Sequence, residues 1–509
     1  MSSFTLDEIR VEGSEIRYEY TVSGVLRRFF TNEAFFVDYD PDGATAAAIR
    51  GRSPAADGGP SAADESATVR NLSGDGERTL SEDGERTLSE DGGPTLTTTT
   101  TTQSPVDLST VPEGILAVPL LSNVCPIAWA ADATVHVDVI DREFRDSMRA
   151  VQRSLAAMYP SLFDVDPTST DAGIRAERVV DYRAGEDRTP LDSTRSGLLF
   201  SGGVDSLTSY LRHREENPML IAVHGADIYM HEREAWDRTR REIADFARER
   251  RADVRFMRVN MRSFIDTTMV LAHYRRYLHD NWFCCVQHGA ALLGQCAPLA
   301  HAEGLDPLYI AATHSEAFDR PWGSHPAIDD AVRWSGTAAR HDSYDLTRQE
   351  KLELLAGHVE ETGERIPIRS CYESEIGGNC NRCEKCARTQ VGLTFAGLDP
   401  NDHGYDVNGR TFVRIRQRFE GGVWTLGPDE RFMWTDLQNH TAPDRAYQWP
   451  EATDFARWLV EADIDELVES AGEPLRNRAI RAVARNTPYG VYSRGYPAYR
   501  AIQGRLGSS

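Results

Sequence analysis

The chain has 509 residues with 79 acidic and 56 basic side chains, which gives a formal net charge of −23. Hydrophobic residues make up 40% of it, which excludes a wholly disordered protein. The length predicts roughly three to four domain-sized units. Only two basic residues are lysines, Lys351 and Lys385. This acid excess with so little lysine is typical of a protein that works in molar salt, and it argues against a generally cationic nucleic-acid binder.

Residues 1–150 are predicted to form a β-rich N-terminal domain. Up to residue 40, short alternating runs indicate hairpin strands, and the first ten residues do not resemble a signal peptide, so a cytoplasmic location is expected. A disordered insertion is predicted at 51–110, where the octad DGERTLSE occurs twice and aromatic residues are absent as far as 104. The uncharged run at 114–131 contains two prolines, which favours a buried strand-and-turn segment over a membrane helix.

A strand at 135–141 and an amphipathic helix at 142–159 lead, through a predicted helical linker at 151–195, into a central domain at 196–398. Here short apolar runs alternate with helical stretches, which predicts an α/β fold with a doubly wound parallel sheet. The expected strands lie at 197–200, 219–225, 254–260 and 308–313, and the expected helices at 232–251 and 281–302. Residues 399–509 are predicted to be a mainly helical C-terminal extension with an Arg- and Tyr-rich tail from Pro474.

The strongest motif is SGGVDS at 201–206, between the first central strand and a predicted helix. Its glycines allow a phosphate close to the backbone, the helix N-terminus presents free N–H groups, and Ser201, Ser206 and Thr208 add hydroxyl donors. The alternative is an ordinary glycine-rich turn with Asp205 in the first helical turn, but the strand-loop-helix context favours phosphate binding. A P-loop kinase is excluded because neither lysine follows a glycine.

The second motif is a cysteine pattern, Cys-x8-Cys-x2-Cys-x2-Cys. Thiolates at x2 spacing converge readily on one metal, and a closed set of four suits structural zinc because no position is left for a catalytic water. An iron–sulfur cluster is the alternative, although the ferredoxin run has its fourth cysteine downstream. The predicted metal ligands are Cys371, Cys380, Cys383 and Cys386.

These two motifs carry a family resemblance. SGGVDS resembles the SGGxDS loop of the PP-loop ATP pyrophosphatases, which cleave ATP between its α and β phosphates to adenylate a substrate. With the cysteine pattern, SCY at its start and ARTQVGL after it, residues 195–395 resemble the 7-cyano-7-deazaguanine synthase family. Those enzymes adenylate the carboxylate of 7-carboxy-7-deazaguanine, add ammonia, and dehydrate the resulting amide to a nitrile.

The chain also departs from that family. It is much longer, Val204 replaces the usual glutamine of the loop, and Ser315–Asp330 replaces the family's substrate loop. These departures indicate a diverged paralogue, of the kind that occurs in gene clusters for anti-phage defence. Such an enzyme could modify a protein or a nucleotide instead of making a free nitrile.

The resemblance implies ATP and Mg2+ as ligands besides Zn2+, and catalytic roles for Ser201, Asp205 and Ser206. Lys351 joins them because a compact ammonium retained in an arginine-rich chain suits a phosphate, the alternative being an exposed lysine paired to an acid. Adenine is expected near Val223, His224, Val259 and Asn260. The predicted ATP-binding residues are Phe200, Ser201, Gly202, Gly203, Val204, Asp205, Ser206, Leu207, Thr208, Ser209, Tyr210 and Asn260.

The expected partners are a small carboxylate substrate, ammonia or an amine, and a protein bound to the extra domains. The carboxylate needs a local positive pocket in so acidic a protein, for which Arg320, Arg348 and Lys351 are the candidates. The Arg/Tyr tail suits either docking on the acidic body or RNA binding. Two alternatives remain: an RNA-thiolating PP-loop enzyme with an iron–sulfur cluster, and a non-catalytic nucleotide-binding scaffold.

Overall fold

A computed structural model of the protein describes residues 2–41, 105–164, 172–183 and 195–470, apart from positions 32, 372, 375, 376 and 425. Its strands are β1 (Ser3–Glu12), β2 (Glu15–Val22), β3 (Phe35–Asp38), β4 (Thr134–Asp141), β5 (Ile174–Val180), β6 (Arg195–Leu199), β7 (Met219–His224), β8 (Val254–Val259), β9 (Leu305–Ala311), β10 (Arg333–Trp334) and β11 (Thr337–Asp342).

The helices are α1 (Glu113–Leu116), α2 (Val118–Ala130), α3 (Arg142–Met158), α4 (Val204–His213), α5 (Arg233–Arg250), α6 (Met261–Phe264), α7 (Thr267–Tyr274), α8 (His288–Gln295), α9 (Ala297–Glu303), α10 (Pro326–Asp329), α11 (Arg348–Thr362), α12 (Glu384–Ala396), α13 (Gly409–Glu420), α14 (Pro428–Asn439), α15 (Pro450–Glu461) and α16 (Ile464–Ser470). Short 3-10 turns lie at Gly24–Arg28, Arg214–Glu216, Arg275–Tyr277, Glu316–Phe318 and Pro400–His403, and a π-helical turn at Phe283–Gln287.

One large mixed sheet contains all of these strands, in the order β10-β11-β9-β6-β7-β8-β3-β2-β1-β4-β5. The run β11-β9-β6-β7-β8 is parallel throughout, and so are the pairs of β4 with β1 and β5. The predicted α/β class with a mostly parallel sheet is therefore confirmed at that level. The central strands are apolar along their length, as in β7 (MLIAVH), because both faces of such a sheet are covered.

The order of the central strands reverses beside β6. From β6 the chain adds β7 and then β8 on one side, and it returns to place β9 on the other side. A crevice opens at the carboxyl ends of the strands where such a reversal occurs, and ligands of open α/β sheets bind there. The SGGVDS loop follows β6 directly, so the topology places it at this reversal.

The front strands are confirmed as strands, but they do not form a sheet of their own. β3 pairs antiparallel with β8 through Val37–Val259 and Asp38–Arg258, which extends the central sheet. The described residues from 2 to 41 and from 106 onward accordingly belong to one compact unit. Of the predicted insertion, 51–104 lies outside the described residues, whereas Val106 and Leu108 are buried in the core.

The strand-and-turn prediction for 114–131 is wrong, because this segment forms α1 and α2. Pro119 stands in the first turn of α2, where a missing N–H costs nothing, and the helix continues through Pro126. Ser122 and Asn123 both donate to the Pro119 carbonyl, so their polar groups are satisfied inside the core. In the described part of the chain, none of the helices has the length and apolar character needed to cross a membrane.

Two further segments differ from the predictions. The predicted helical linker at 151–195 contains strand β5, which forms because it pairs in parallel with β4 over Ile174–Val180. The helix expected at 281–302 is divided into the π-helical turn, α8 and α9. The described C-terminal region, as far as residue 470, is helical as predicted, and Phe412, Trp434 and Phe455 share a core with Leu198 of β6 and Val204 of α4. The Arg/Tyr tail lies outside the described residues.

Candidate functional site

The glycine-rich loop joins the end of β6 to the start of α4. Gly202 has a φ of 71°, a left-handed conformation that favours glycine. Gly203 occupies the N-cap position without a side chain, so no side chain caps the first amides of α4. Ser201 and Ser206 lie 3.4 Å apart through their hydroxyls, and Ser206 donates to the Gly203 carbonyl. The loop thus presents backbone N–H groups and hydroxyls at a helix N-terminus, an arrangement suited to an anion.

A cleft extends from this loop across the carboxyl ends of the central strands. Its lining includes the apolar side chains of Ile221, Ile228 and Trp236 and the polar groups of Asp227, His288 and Thr313. The Nδ1 atom of His288 is buried without a hydrogen-bond partner among the described residues. An apolar slot with a few convergent polar groups is the usual form of a site for a planar small molecule.

A second, smaller pocket adjoins the loop, and we call it the cationic pocket. Arg348, Arg369 and Lys385 line it together with Asp205 and Asp227. The remaining lining residues are Ser201, Gly203, Val204 and Ser370.

Three helices begin at the cationic pocket: α4 at Val204, α11 at Arg348 and α12 at Glu384. Because each helix has a partial positive charge at its N-terminus, the helix ends and the three basic side chains all make the electrostatic potential of the pocket more positive. The Nε atom of Arg348 has no partner among the described residues, although its side chain is only 8% exposed. The pocket therefore has a positive excess within a protein of net charge −23.

Asp205 and Asp227 are the carboxylates that partly neutralise this cluster, and Asp205 is the one paired with it. It accepts from Arg348 at 2.9 Å and from Lys351 at 3.3 Å. Burial by itself would raise the pKa of Asp205, but the charges of Arg348, Lys351 and Lys385 outweigh it and hold the pKa at about 2. Asp205 is thus a carboxylate at neutral pH.

Lys351 lies behind Asp205 and does not line the cationic pocket. Its ammonium also donates to the Ala312 carbonyl at 2.6 Å, and its side chain is 1% exposed. Burial lowers the pKa of Lys351, against the opposing effect of Asp205. Of the alternative, an exposed lysine paired to an acid, the pairing is present but the exposure is wrong, and the compact ammonium acts on the site through Asp205.

Lys385 and Arg369 complete the pocket, and both were missed by the sequence predictions. Burial and the charge of Arg348 lower the pKa of Lys385 to about 7. The sequence offered one signal for Lys385, because it is one of only two lysines in the chain. Arg369 is one of many arginines, and its N–H donates to the Gly202 carbonyl at 2.9 Å across more than 160 residues of sequence.

The predicted ATP-binding residues divide into two groups. Those from Phe200 to Leu207 line the cleft, the cationic pocket or a neighbouring pocket. The side chains of Thr208, Ser209 and Tyr210 are buried, and Thr208 donates to the Val204 carbonyl. Asn260 bonds to Ala34 and Phe36 at the start of β3, so its amide secures the front strands.

The predicted adenine and acceptor residues are also only partly brought together. Val223 lines the cleft, while His224 stacks on Trp236 at 4.6 Å. Arg320 is paired with Asp429 of α14, which also bonds to His314. Several other polar side chains between the loop and the cysteines are paired: Asp319 with His325, Asp329 with His341, Asp342 with His213, and Arg212 with both Asp342 and Asp345.

The four predicted cysteine ligands converge, as the spacing indicates. Their sulfurs lie within 4.8 Å of one another, and the Cys371–Cys383 and Cys380–Cys386 separations are both 3.9 Å. Zn–S bonds of about 2.3 Å in a tetrahedron require sulfurs about 3.8 Å apart, so the set fits a single ion such as zinc.

Backbone N–H groups support the same sulfurs. Glu373 donates to Cys371, Cys383 to Cys380, and Cys386 to Cys383, at 3.3–3.4 Å. The hydrogen bond between the two thiols lowers the pKa of Cys383 and raises the pKa of Cys386.

The tetracysteine cluster and the cationic pocket share one segment of chain. Arg369 and Ser370 precede Cys371, and Lys385 lies between Cys383 and Cys386. An ion held by the four cysteines would therefore fix both ends of the segment that supplies two of the three cations.

Comparison with models of protein families, with curated proteins and with solved structures gives no match to this chain.

Proposed function

We propose that the protein is an ATP-dependent adenylating ligase that activates a carboxylate. The observation that carries the proposal is the cationic pocket, where a glycine-rich loop, three helix N-termini and three cations meet at the reversal of strand order. A polyphosphate matches this charge. The resemblance of SGGVDS to the PP-loop motif supplies the reaction type.

In the proposed reaction, a carboxylate oxygen of the acceptor attacks the α-phosphorus of ATP, and pyrophosphate leaves. Ammonia or an amine then attacks the acyl carbon, the C–N bond forms, and AMP leaves with the former carboxylate oxygen. Arg348, Arg369 and Lys385 would hold the β- and γ-phosphates and offset the charge that develops on pyrophosphate. Mg2+ would add positive charge between phosphate oxygens, through few protein ligands.

The cleft provides the space for adenine and for the acceptor. Apolar lining residues such as Ile221 and Trp236 suit a purine ring, and the polar groups of Asp227, His288 and Thr313 suit an acceptor rich in hydrogen-bonding groups. A 7-deazaguanine carboxylate combines a planar ring, N–H donors and the group to be activated. We therefore retain it as the proposed acceptor.

Zinc is the proposed ion of the cysteine centre, with a structural role. Sulfurs within 4.8 Å of one another suit one ion, and this spacing gives no support to the alternative of an RNA-thiolating enzyme with a multi-iron cluster. Elemental analysis is expected to find one zinc per chain. Iron with broad visible absorbance would favour the alternative.

The test of the activity is incubation of the full chain in high salt with Mg-ATP, ammonium and 7-carboxy-7-deazaguanine, followed by mass spectrometry of small molecules and co-purifying proteins. We expect AMP and pyrophosphate, and a change in mass of the deazaguanine or of a protein joined to it. ADP and phosphate as the only nucleotide products would refute adenylation. Pyrophosphate release without any effect of the deazaguanine would refute this acceptor alone.

A further inference from the structure

His288 brings a titratable side chain to the cleft beside the glycine-rich loop. It lines the cleft together with Ser201 and Asp205 of that loop and with Thr313. Because Nδ1 is the ring nitrogen buried in the protein, Nε2 is the nitrogen that can reach the cleft. An imidazole nitrogen is thus available in the space where the acceptor of the proposed reaction would lie.

The backbone on both sides of His288 is held by close contacts. The π-helical turn ends directly before this residue, and such turns occur frequently at functional sites. The Gly323 N–H donates to the Cys284 carbonyl at 2.7 Å, and its carbonyl accepts from the Gly289 N–H at 2.8 Å. A Cβ at position 323 would come within 2.8 Å of the backbone of the turn. The segment 315–330, which replaces the family's substrate loop, therefore fixes the start of α8.

A buried carboxylate lies against the first turn of α8. Asp329 is fully buried, and its Oδ2 atom accepts from the Ser324 hydroxyl at 2.6 Å and pairs with His341 Nδ1 at 2.7 Å. Its Oδ1 atom has no partner among the described residues, and a Cβ on Gly289 would overlap it. This oxygen is therefore free to compensate a positive charge on His288, the residue before Gly289.

The charge state of His288 suits a proton acceptor. Burial lowers the pKa of His288, and the carboxylates of Asp227 and Asp329 oppose this effect. The positive charges of Arg262 and His341 lower the pKa further. The imidazole is accordingly neutral at neutral pH, and two carboxylates would stabilise it once it has taken a proton.

We propose that His288 is the general base of the ligation step. In this step the amine nitrogen attacks the acyl carbon of the adenylate, and the C–N bond forms. One N–H proton passes to Nε2 of His288, and AMP leaves with the electron pair of the broken C–O bond. The inference rests on the proposed function and deepens it by assigning a catalytic residue to its second half. Adenylation needs no such base, because the attacking carboxylate oxygen carries no proton.

The test separates the two halves of the reaction in the full chain in high salt. Exchange of labelled pyrophosphate into ATP, with 7-carboxy-7-deazaguanine and Mg2+ but without an amine, measures adenylation alone. Formation of the amide with ammonium, or of the hydroxamate with hydroxylamine, measures ligation. His288→Gln keeps a polar side chain of similar length but accepts no proton. Exchange should therefore stay within about threefold of the wild type, while ligation falls about 100-fold or more.

The matched control is His231→Gln, which removes an exposed imidazole from the loop after β7. Both measurements should stay within about twofold of the wild type in this variant. Circular dichroism shows that each variant is folded, and His288→Asn provides a second, smaller replacement that is measured in the same way. Unchanged ligation in the folded His288 variants would overturn the role of general base. Equal losses of exchange and ligation would also overturn it, because they indicate a contact with ATP or the acceptor instead.

Failure of this inference is distinguishable from failure of the proposed function. If the wild type exchanges no pyrophosphate and forms no AMP, adenylation is refuted and the inference falls with it. Exchange without any amide or hydroxamate would leave adenylation standing and refute a ligation step that needs a base. Exchange and ligation at wild-type rates in His288→Gln would refute the role of His288 alone.

Discussion

Replacement of Asp205 by Asn tests the electrostatic description of the site. The carboxylate is held by Arg348 and Lys351, and its side chain is 21% exposed. Its pKa is lowered from 3.8 to about 2, which corresponds to about 2 to 3 kcal/mol of stabilisation when it is ionised. Because the folded-state pKa lies below the unfolded value, this contribution is present above about pH 4 and is lost as the pH falls towards 2.

We therefore expect Asp205→Asn to lower the free energy of unfolding by about 2 to 3 kcal/mol at pH 7. The matched control is Asp345→Asn, whose carboxylate pairs with Arg212 at 2.6 Å but is 54% exposed. Asp345→Asn should lower the free energy of unfolding by less than about 1 kcal/mol. The proposed adenylation, measured as pyrophosphate release, should be nearly abolished by Asp205→Asn and retained after Asp345→Asn.

The assay is chemical denaturation of the wild type and both variants in high salt, at pH 7 and at the lowest pH at which the wild type stays folded. Salt should affect the Asp205 contribution little, since a buried pair is poorly screened. Equal losses of stability in the two variants at pH 7 would refute the reasoning. A wild-type advantage that grew below pH 4 would contradict the assigned direction of the pKa shift.

Three further predictions concern other parts of the fold. Cys386→Ser should lower the content of the proposed zinc and speed proteolysis between residues 369 and 386, since the serine is a poor ligand; unchanged metal content by elemental analysis would contradict this. Asp429→Asn removes the acid that holds Arg320, so amide exchange at 315–324 should accelerate, and equal protection in the variant would show that α14 does not hold this segment. Gly225 has a φ of 107°, and a Cβ there would overlap the Val259 carbonyl. Gly225→Ala should therefore lower the free energy of unfolding by about 2 kcal/mol or more, measured by thermal or chemical denaturation. An unchanged stability would refute this close approach.

Some features of this protein were predictable because a short stretch of chain specifies them. The spacing of Cys380, Cys383 and Cys386 fits one knuckle and one helical turn, so convergence of the sulfurs was predicted and is confirmed. The strand, glycine-rich loop and helix at 195–213 are likewise a local pattern. The central strands were predictable for the same reason, because each is a short apolar run of the kind found in sheets that are covered on both faces.

Other features depend on contacts between distant segments. The apolar run at 114–131 is compatible with a buried strand or a buried helix, and its helical form was decided by the core around it. The pairing of β3 with β8 joins residues more than 200 positions apart, so no local pattern could show that the front strands extend the central sheet. Linker strand β5 exists because β4 offers an edge to pair with.

The candidate site shows the same division. Sequence by itself indicated a phosphate loop at 201–206 and a metal centre after residue 370, each from its own spacing. Only the tertiary structure placed Arg369 and Lys385 of the metal segment against that loop and Lys351 behind Asp205. The physical reason is that a charge acts over distance in space: the residues that set the potential of a pocket need no particular separation along the chain.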